Sequence, residues 1–139
     1  MTRDDAQRLV QAYMKSLNHQ SEGLNPQGFG GVVVGDAQLY FEYSPTENSL
    51  EASALVYKFR DAPKPGILEG FQDEAKSGTD TGGGKVDYEL ENNSLFLSRT
   101  YVMVPAESMF VDDMWRLTQA SRVWGKDVLE RVASRVFKR

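Results

Sequence analysis

"AQLYFEYSPTENSLEASALVYKF", residues 37–59, decides the architecture. In residues 37–43, Leu39, Phe41 and Tyr43 alternate with Gln38, Tyr40 and Glu42, the period-two pattern of a half-buried strand. The polar "SPTENS" of 44–49 is turn material. Residues 50–59 then resume alternation, with Leu50, Ala52, Ala54 and Val56 set against Leu55, Tyr57 and Phe59. So short a link permits an antiparallel hairpin and leaves no room for a parallel crossover.

Upstream, "GGVVVG" at 30–35 is a further short strand. Residues 3–18 place Ala6, Leu9, Val10, Tyr13, Met14 and Leu17 on one helical stripe. Thr2 and Asp5 have the spacing of a capping box, and "SEGLNPQGFGG" then breaks the helix. Downstream, "DAPKPG" at 61–66 ends the third strand and sets Pro65 at the start of a short helix over 66–76, striped with Ile67, Leu68, Phe71 and Ala75. Two strands follow at 85–91 and 94–104, with Asn92-Asn93 suited to a two-residue turn. Pro105 closes the sheet. Ser108 is placed to cap a long helix running to about Phe137, whose stripe includes Leu117, Trp124, Val128, Val132 and Val136; Gly125 within it marks a kink or a close packing contact. The order is α-β-β-β-α-β-β-α: one α+β domain over 1–139, a single antiparallel sheet packed with helices.

The 139 residues are 40% hydrophobic and 26% charged, enough for one domain with a real core. Without cysteine there are no disulfides, thiol nucleophiles or cysteine-based zinc sites. The first residues lack the apolar run of a secretory signal, and no segment approaches the roughly 18 apolar residues of a membrane helix. A net charge of −4 disfavours nucleic acid and anionic lipid as partners. The one basic excess, Arg131, Arg135, Lys138 and Arg139, reads as solvent-facing cations complementing a helix C-terminus.

"SGTDTGGGKVDYEL" at 77–90 resembles a phosphate-binding loop only superficially. The first glycine of that motif would fall at Thr79, and Val86 stands where Ser or Thr should reach magnesium. A helix precedes the loop and a strand follows it, so no helix N-terminus faces a phosphate. The glycines read as a helix-to-strand connection. His19 is the only histidine and reads as a residue meeting the last carbonyls of the first helix. Asp4-Asp5, Asp73-Glu74 and Asp112-Asp113 are neighbours on helices, splayed by about 100° and unable to converge on one substrate. A small enzyme would have to draw on His19, Arg60 and Arg99, which share no catalytic motif.

Both faces of the sheet carry apolar residues: Tyr40, Leu55, Tyr57, Phe96 and Val102 lie opposite the stronger apolar face. Helices on both sides, simple exposure, or a partner protein would each account for them.

Three local patterns carry a resemblance: "AQLYFEY", a polar turn and "SLEASALVY"; "GILEGFQDEA" leading into the glycine-rich loop and a strand; and "NSLFLSRTYVMVP" before a long helix with "WGKDVLERV". With the element order and the acidic balance, they make the chain similar to the class I type III secretion chaperones of bacteria, the group that includes the Tir chaperone. The same fold also serves proteins with no secretion role. The resemblance implies a cytoplasmic homodimer without enzymatic activity, cofactor or metal, binding an extended segment of a secreted effector. By position, it puts the dimer contact at Ile67, Leu68, Phe71 and Ala75. The effector would lie on outward apolar residues of the first helix and the strands: Leu9, Tyr13, Tyr40, Leu55 and Tyr57. A third helix running nearly to the end of the sequence departs from the family pattern.

Overall fold

In a computed structural model describing residues 1–20 and 22–137, helix α1 (Arg3–Ser16) begins at the expected capping box. The Asp5 amide donates to Thr2 Oγ1 at 3.1 Å, and the Thr2 amide donates to Asp5 Oδ2 at 3.0 Å. Three strands follow as a meander: β1 (Phe29–Val34), β2 (Ala37–Ser44) and β3 (Ser49–Lys58). Helix α2 (Ile67–Lys76) leads to the edge strand β4 (Lys85–Glu89), and β5 (Ser94–Tyr101) returns to pair with β3. The sheet is antiparallel throughout, in the order β1-β2-β3-β5-β4.

Register follows the apolar alternation. Leu39 pairs with Ala54, Phe41 with Ala52, and Ala54 in turn with Leu97, all buried on one face. A one-residue slip would send each of these side chains to the opposite face, so burial itself fixes the pairing. Helix α3 (Glu107–Val123) and α1 lie across that face, adding Phe110, Met114 and Leu117 from one and Leu9, Val10 and Tyr13 from the other. Each fully buried side chain of this size contributes about 1.5–3 kcal/mol.

The long C-terminal helix is not continuous. A π-helical turn, Trp124–Val128, separates α3 from α4 (Leu129–Phe137). At that turn the helix backbone lies against β3: a Cβ on Gly125 would stand 2.6 Å from the Val56 carbonyl oxygen. The close approach, expected at this glycine, demands the missing side chain. Helix α4 then packs on α2, where a Cβ on Gly70 would meet Val132 Cγ1 at 2.6 Å. The Trp124 ring stacks on Phe71 with centroids 5.9 Å apart, and its Nε1–H donates to the Asp80 carbonyl at 2.8 Å.

That hydrogen bond explains the glycine-rich loop. It tucks under α3, and at Gly82, with φ +65°, a Cβ would fall 2.6 Å from the Arg116 carbonyl oxygen. The loop connects and packs, as the failed phosphate motif implied.

Four local expectations change. Helix α3 is capped at Ala106 without a side-chain hydrogen bond, not at Ser108. Helix α2 starts at Ile67 behind a left-handed Gly66. Strand β5 ends at Tyr101, so residues 102–104 leave the sheet. The β4–β5 link is a 3₁₀ turn, Leu90–Asn92, with Asn93 alone adopting positive φ.

Candidate protein-binding surface

The helices occupy one side of the sheet. On β2, Ala37, Leu39, Phe41 and Tyr43 are buried while Gln38, Tyr40 and Glu42 are exposed. Of the three explanations for apolar residues on the second face, coverage by helices on both sides is therefore removed. Alternation brings Glu51, Ser53 and Leu55 of β3, and Phe96 and Ser98 of β5, to the same open face. Glu51, Ser53, Leu55 and Phe96 line a groove of about 690 Å³ running from Phe29 of β1 to Asp87 and Glu89 of β4.

Its floor is aromatic and aliphatic. The Tyr40 and Phe96 rings meet edge to face, centroids 6.1 Å apart, across the small side chain of Ser53. Leu55 sits directly opposite Phe96, and Phe29, half exposed, closes one end. The Tyr40 hydroxyl donates to Gln38 Oε1 at 2.6 Å.

The walls are acidic. Glu42 and Glu51 are direct cross-strand neighbours, an arrangement that costs stability when both are ionised. Partial burial pushes the Glu51 carboxyl above its ordinary range, and the charges of Asp87, Glu42 and Glu89 push the same way, against a hydrogen bond from Ser53. Asp87 accepts a hydrogen bond from Ser98 Oγ at 3.2 Å, and Ser98 in turn meets Ser53 Oγ at 2.9 Å. Among the described residues none of these four carboxylates has a Lys or Arg partner. Lys58 lines the groove and Lys85 borders it without reaching them, and Arg99 is taken by Asp113 at 3.3 Å.

The structure brings together only two of the five residues expected to meet a partner, Tyr40 and Leu55. Leu9 and Tyr13 are core residues, because the α1 stripe that carries them is the stripe α1 turns to the sheet. Tyr57 leaves the open face at a β-bulge between Leu55 and Tyr57. There it pairs with Leu95 and lines a separate hollow of about 370 Å³ with Phe59, Ile67, Leu129 and Phe137.

The four residues of the expected dimer contact divide by their burial in the monomer. Ile67 and Phe71 are buried within the monomer because α4 and Trp124 close over them, while Leu68 and Ala75 are half-buried against the core. Glu74 locks that closure. It is buried on α2 and accepts hydrogen bonds from Arg131 at 2.7 Å, Arg135 at 2.5 Å and Thr79 at 2.8 Å. The Arg131 guanidinium above all, with Thr79 and Arg135, holds its carboxyl down at about 2 despite burial. Arg131 and Arg135 are exposed, as expected, and they also serve a helix–helix contact through Glu74; Lys138 and Arg139 lie outside the described residues.

His19, Arg60 and Arg99 fall in three different surface depressions, so they form no common site. Among the described residues no group of three His, Asp or Glu is placed to hold a metal, and no helix is long and apolar enough to cross a membrane. Sequence reading missed Glu42, Glu51, Asp87 and Glu89. Alternation puts each on the open side, but only strand order and register show that they converge.

Neither a protein-family model nor a curated protein sequence matches the chain. Solved structures do. A chain of the ExsC–ExsE complex superposes with a TM-score of 0.70 at 14% identity, covering 91% of this chain and 96% of that one. A chain of the HopA1–SchA chaperone–effector complex gives 0.67 at 13% identity, covering 89% and 95%. The chain shares the fold of these two chains, an antiparallel sheet packed with helices as the resemblance implied.

Proposed function

We propose that this protein is a non-catalytic chaperone or adaptor, homodimeric and cytoplasmic in a bacterium, that holds an extended segment of a secreted effector. The observation that carries this reading is the one-sided sheet: α1 and α3 cover one face, and the other presents an apolar groove to solvent. A shared fold with chains solved in partner complexes, one of them a chaperone–effector complex, supports it. An extended segment can add main-chain hydrogen bonds along the edge strand β1 or β4 and seat alternate side chains on the sheet. Tyr40 and Leu55 supply the groove contacts, and Tyr57 offers a second seat in its own hollow. For the dimer, Leu68 and Ala75 remain on α2, since Ile67 and Phe71 are occupied by α4.

Light scattering tests the assembly, with an expected mass twice the 15.6 kDa of the chain. A peptide array tiling the N-terminal segments of exported proteins from the source organism tests the binding. A subset of segments should bind, and Tyr40→Lys should abolish that binding while His19→Ala preserves it. A monomer that retains none of the segments would overturn the reading.

A further inference from the structure

The chemistry of the segment follows from the open face. We propose that the groove selects a basic segment, seating an apolar side chain on Tyr40, Leu55 and Phe96 and a Lys or Arg side chain between Glu51, Glu42 and Asp87. This rests on the reading that the protein holds an extended polypeptide, and it names what distinguishes the polypeptide it holds.

Three features of the open face single out that occupant. First, four carboxylates surround an apolar floor without a basic partner among the described residues, and two of them stand directly opposite each other across β2 and β3. A cation arriving there removes an existing repulsion as well as forming new attraction, and bringing like charges together in this way is costly until it does. Second, the cation cannot be a small ion held by the carboxylates together, because no three of them gather at ligand distance. A side chain on a long stem fits, with its methylenes on the apolar floor and its charge at the wall. Third, the occupant is not a second copy of this face. Two such faces brought together would oppose eight carboxylates, four from each, in a chain that already carries a net charge of −4. Phosphate backbones and anionic lipid are turned away by the same field.

Three labelled peptides provide the test. They share one alternating apolar sequence and differ only in carrying two arginines, two glutamines or two glutamates between the apolar positions. Fluorescence anisotropy should show the arginine peptide bound roughly fivefold to tenfold tighter than the glutamate peptide, with glutamine between. That preference should shrink at high salt. It should fall to within about twofold in the double variant Glu51→Gln/Asp87→Asn. The control Glu69→Gln/Asp73→Asn, exposed acids on α2, should keep it in full. Equal binding of the three peptides, no binding by any, or a preference that survives the double substitution would each overturn the proposal. Equal binding that Tyr40→Lys nevertheless abolishes would do so while leaving the chaperone reading in place.

Discussion

The two faces of this sheet are made from the same strands, residue by residue in alternation, yet they treat an acidic side chain in opposite ways. On the helix side Glu74 is buried, and Arg131, Arg135 and Thr79 reward its charge. On the open side Glu51 is partly buried, has no basic partner, and faces other carboxylates. The first arrangement is finished within the monomer. The second is finished only by something that brings positive charge. Local charge pairing therefore separates a surface that has completed its contacts from one that waits for them, more sharply than exposed apolar area does.

The largest test of that contrast is on the closed side. Trp124→Ala removes a fully buried ring, its stack on Phe71 and its hydrogen bond to the 80–84 loop. Urea unfolding should show a loss of about 3–5 kcal/mol. Gly125→Ala comes next. In an ordinary helix this change gains about 1 kcal/mol, but a Cβ 2.6 Å from the Val56 carbonyl reverses the sign. The expected loss is about 1–3 kcal/mol, and a stabilised variant would show that the helix does not rest on β3 there.

Glu74→Gln should cost about 1–2 kcal/mol at neutral pH. Its folded-state pKa, about 2, lies below the ordinary 4.5. The stabilisation is therefore present above the ordinary value and lost as pH falls toward 2, so unfolding curves of parent and variant should converge in acid. Tyr40→Ala on the open face should change stability by less than about 1 kcal/mol, since the ring is 44% exposed, while removing partner binding. Smallest is Glu51→Gln, a gain of about 0.5 kcal/mol or less at neutral pH. Here the folded-state pKa is raised, so the carboxyl contributes stability in acid and loses it as pH rises. Parent and variant should thus respond to acid with the opposite sign to the Glu74 pair. Matching slopes would dissolve the distinction between the two faces.

Much of the architecture was legible in residues. The alternation of 37–59 specified the hairpin and Thr2 and Asp5 the helix start, and the close contact at Gly125 is one of the two outcomes, with a kink, that its place in the helix allowed. Leu9 and Tyr13 teach a plainer lesson. Three-and-four spacing identifies the face a helix buries, and residues on that face are not also available to a partner. The covering of Ile67 and Phe71 was not readable, because an apolar stripe on α4 does not state which surface it will meet. The bulge that removes Tyr57 from the groove was hidden for a similar reason: a strand pattern records period, and one extra residue shifts everything beyond it. Acidic convergence needed strand order, which joins β4 to β5 and so brings Asp87 and Glu89 toward β3.

The widened turn at Trp124–Val128 also bears on how this chain can vary in length. Elsewhere along the helix a lost residue would swing everything downstream by about 100° and turn Val132 away from α2. Within the π turn the loop of backbone already holds one residue more than an α-helical turn does. Dropping that surplus restores a regular spiral with the distal valines still aimed at the same neighbour. Descendants of this sequence could shed a residue there without reorienting the segment beyond it.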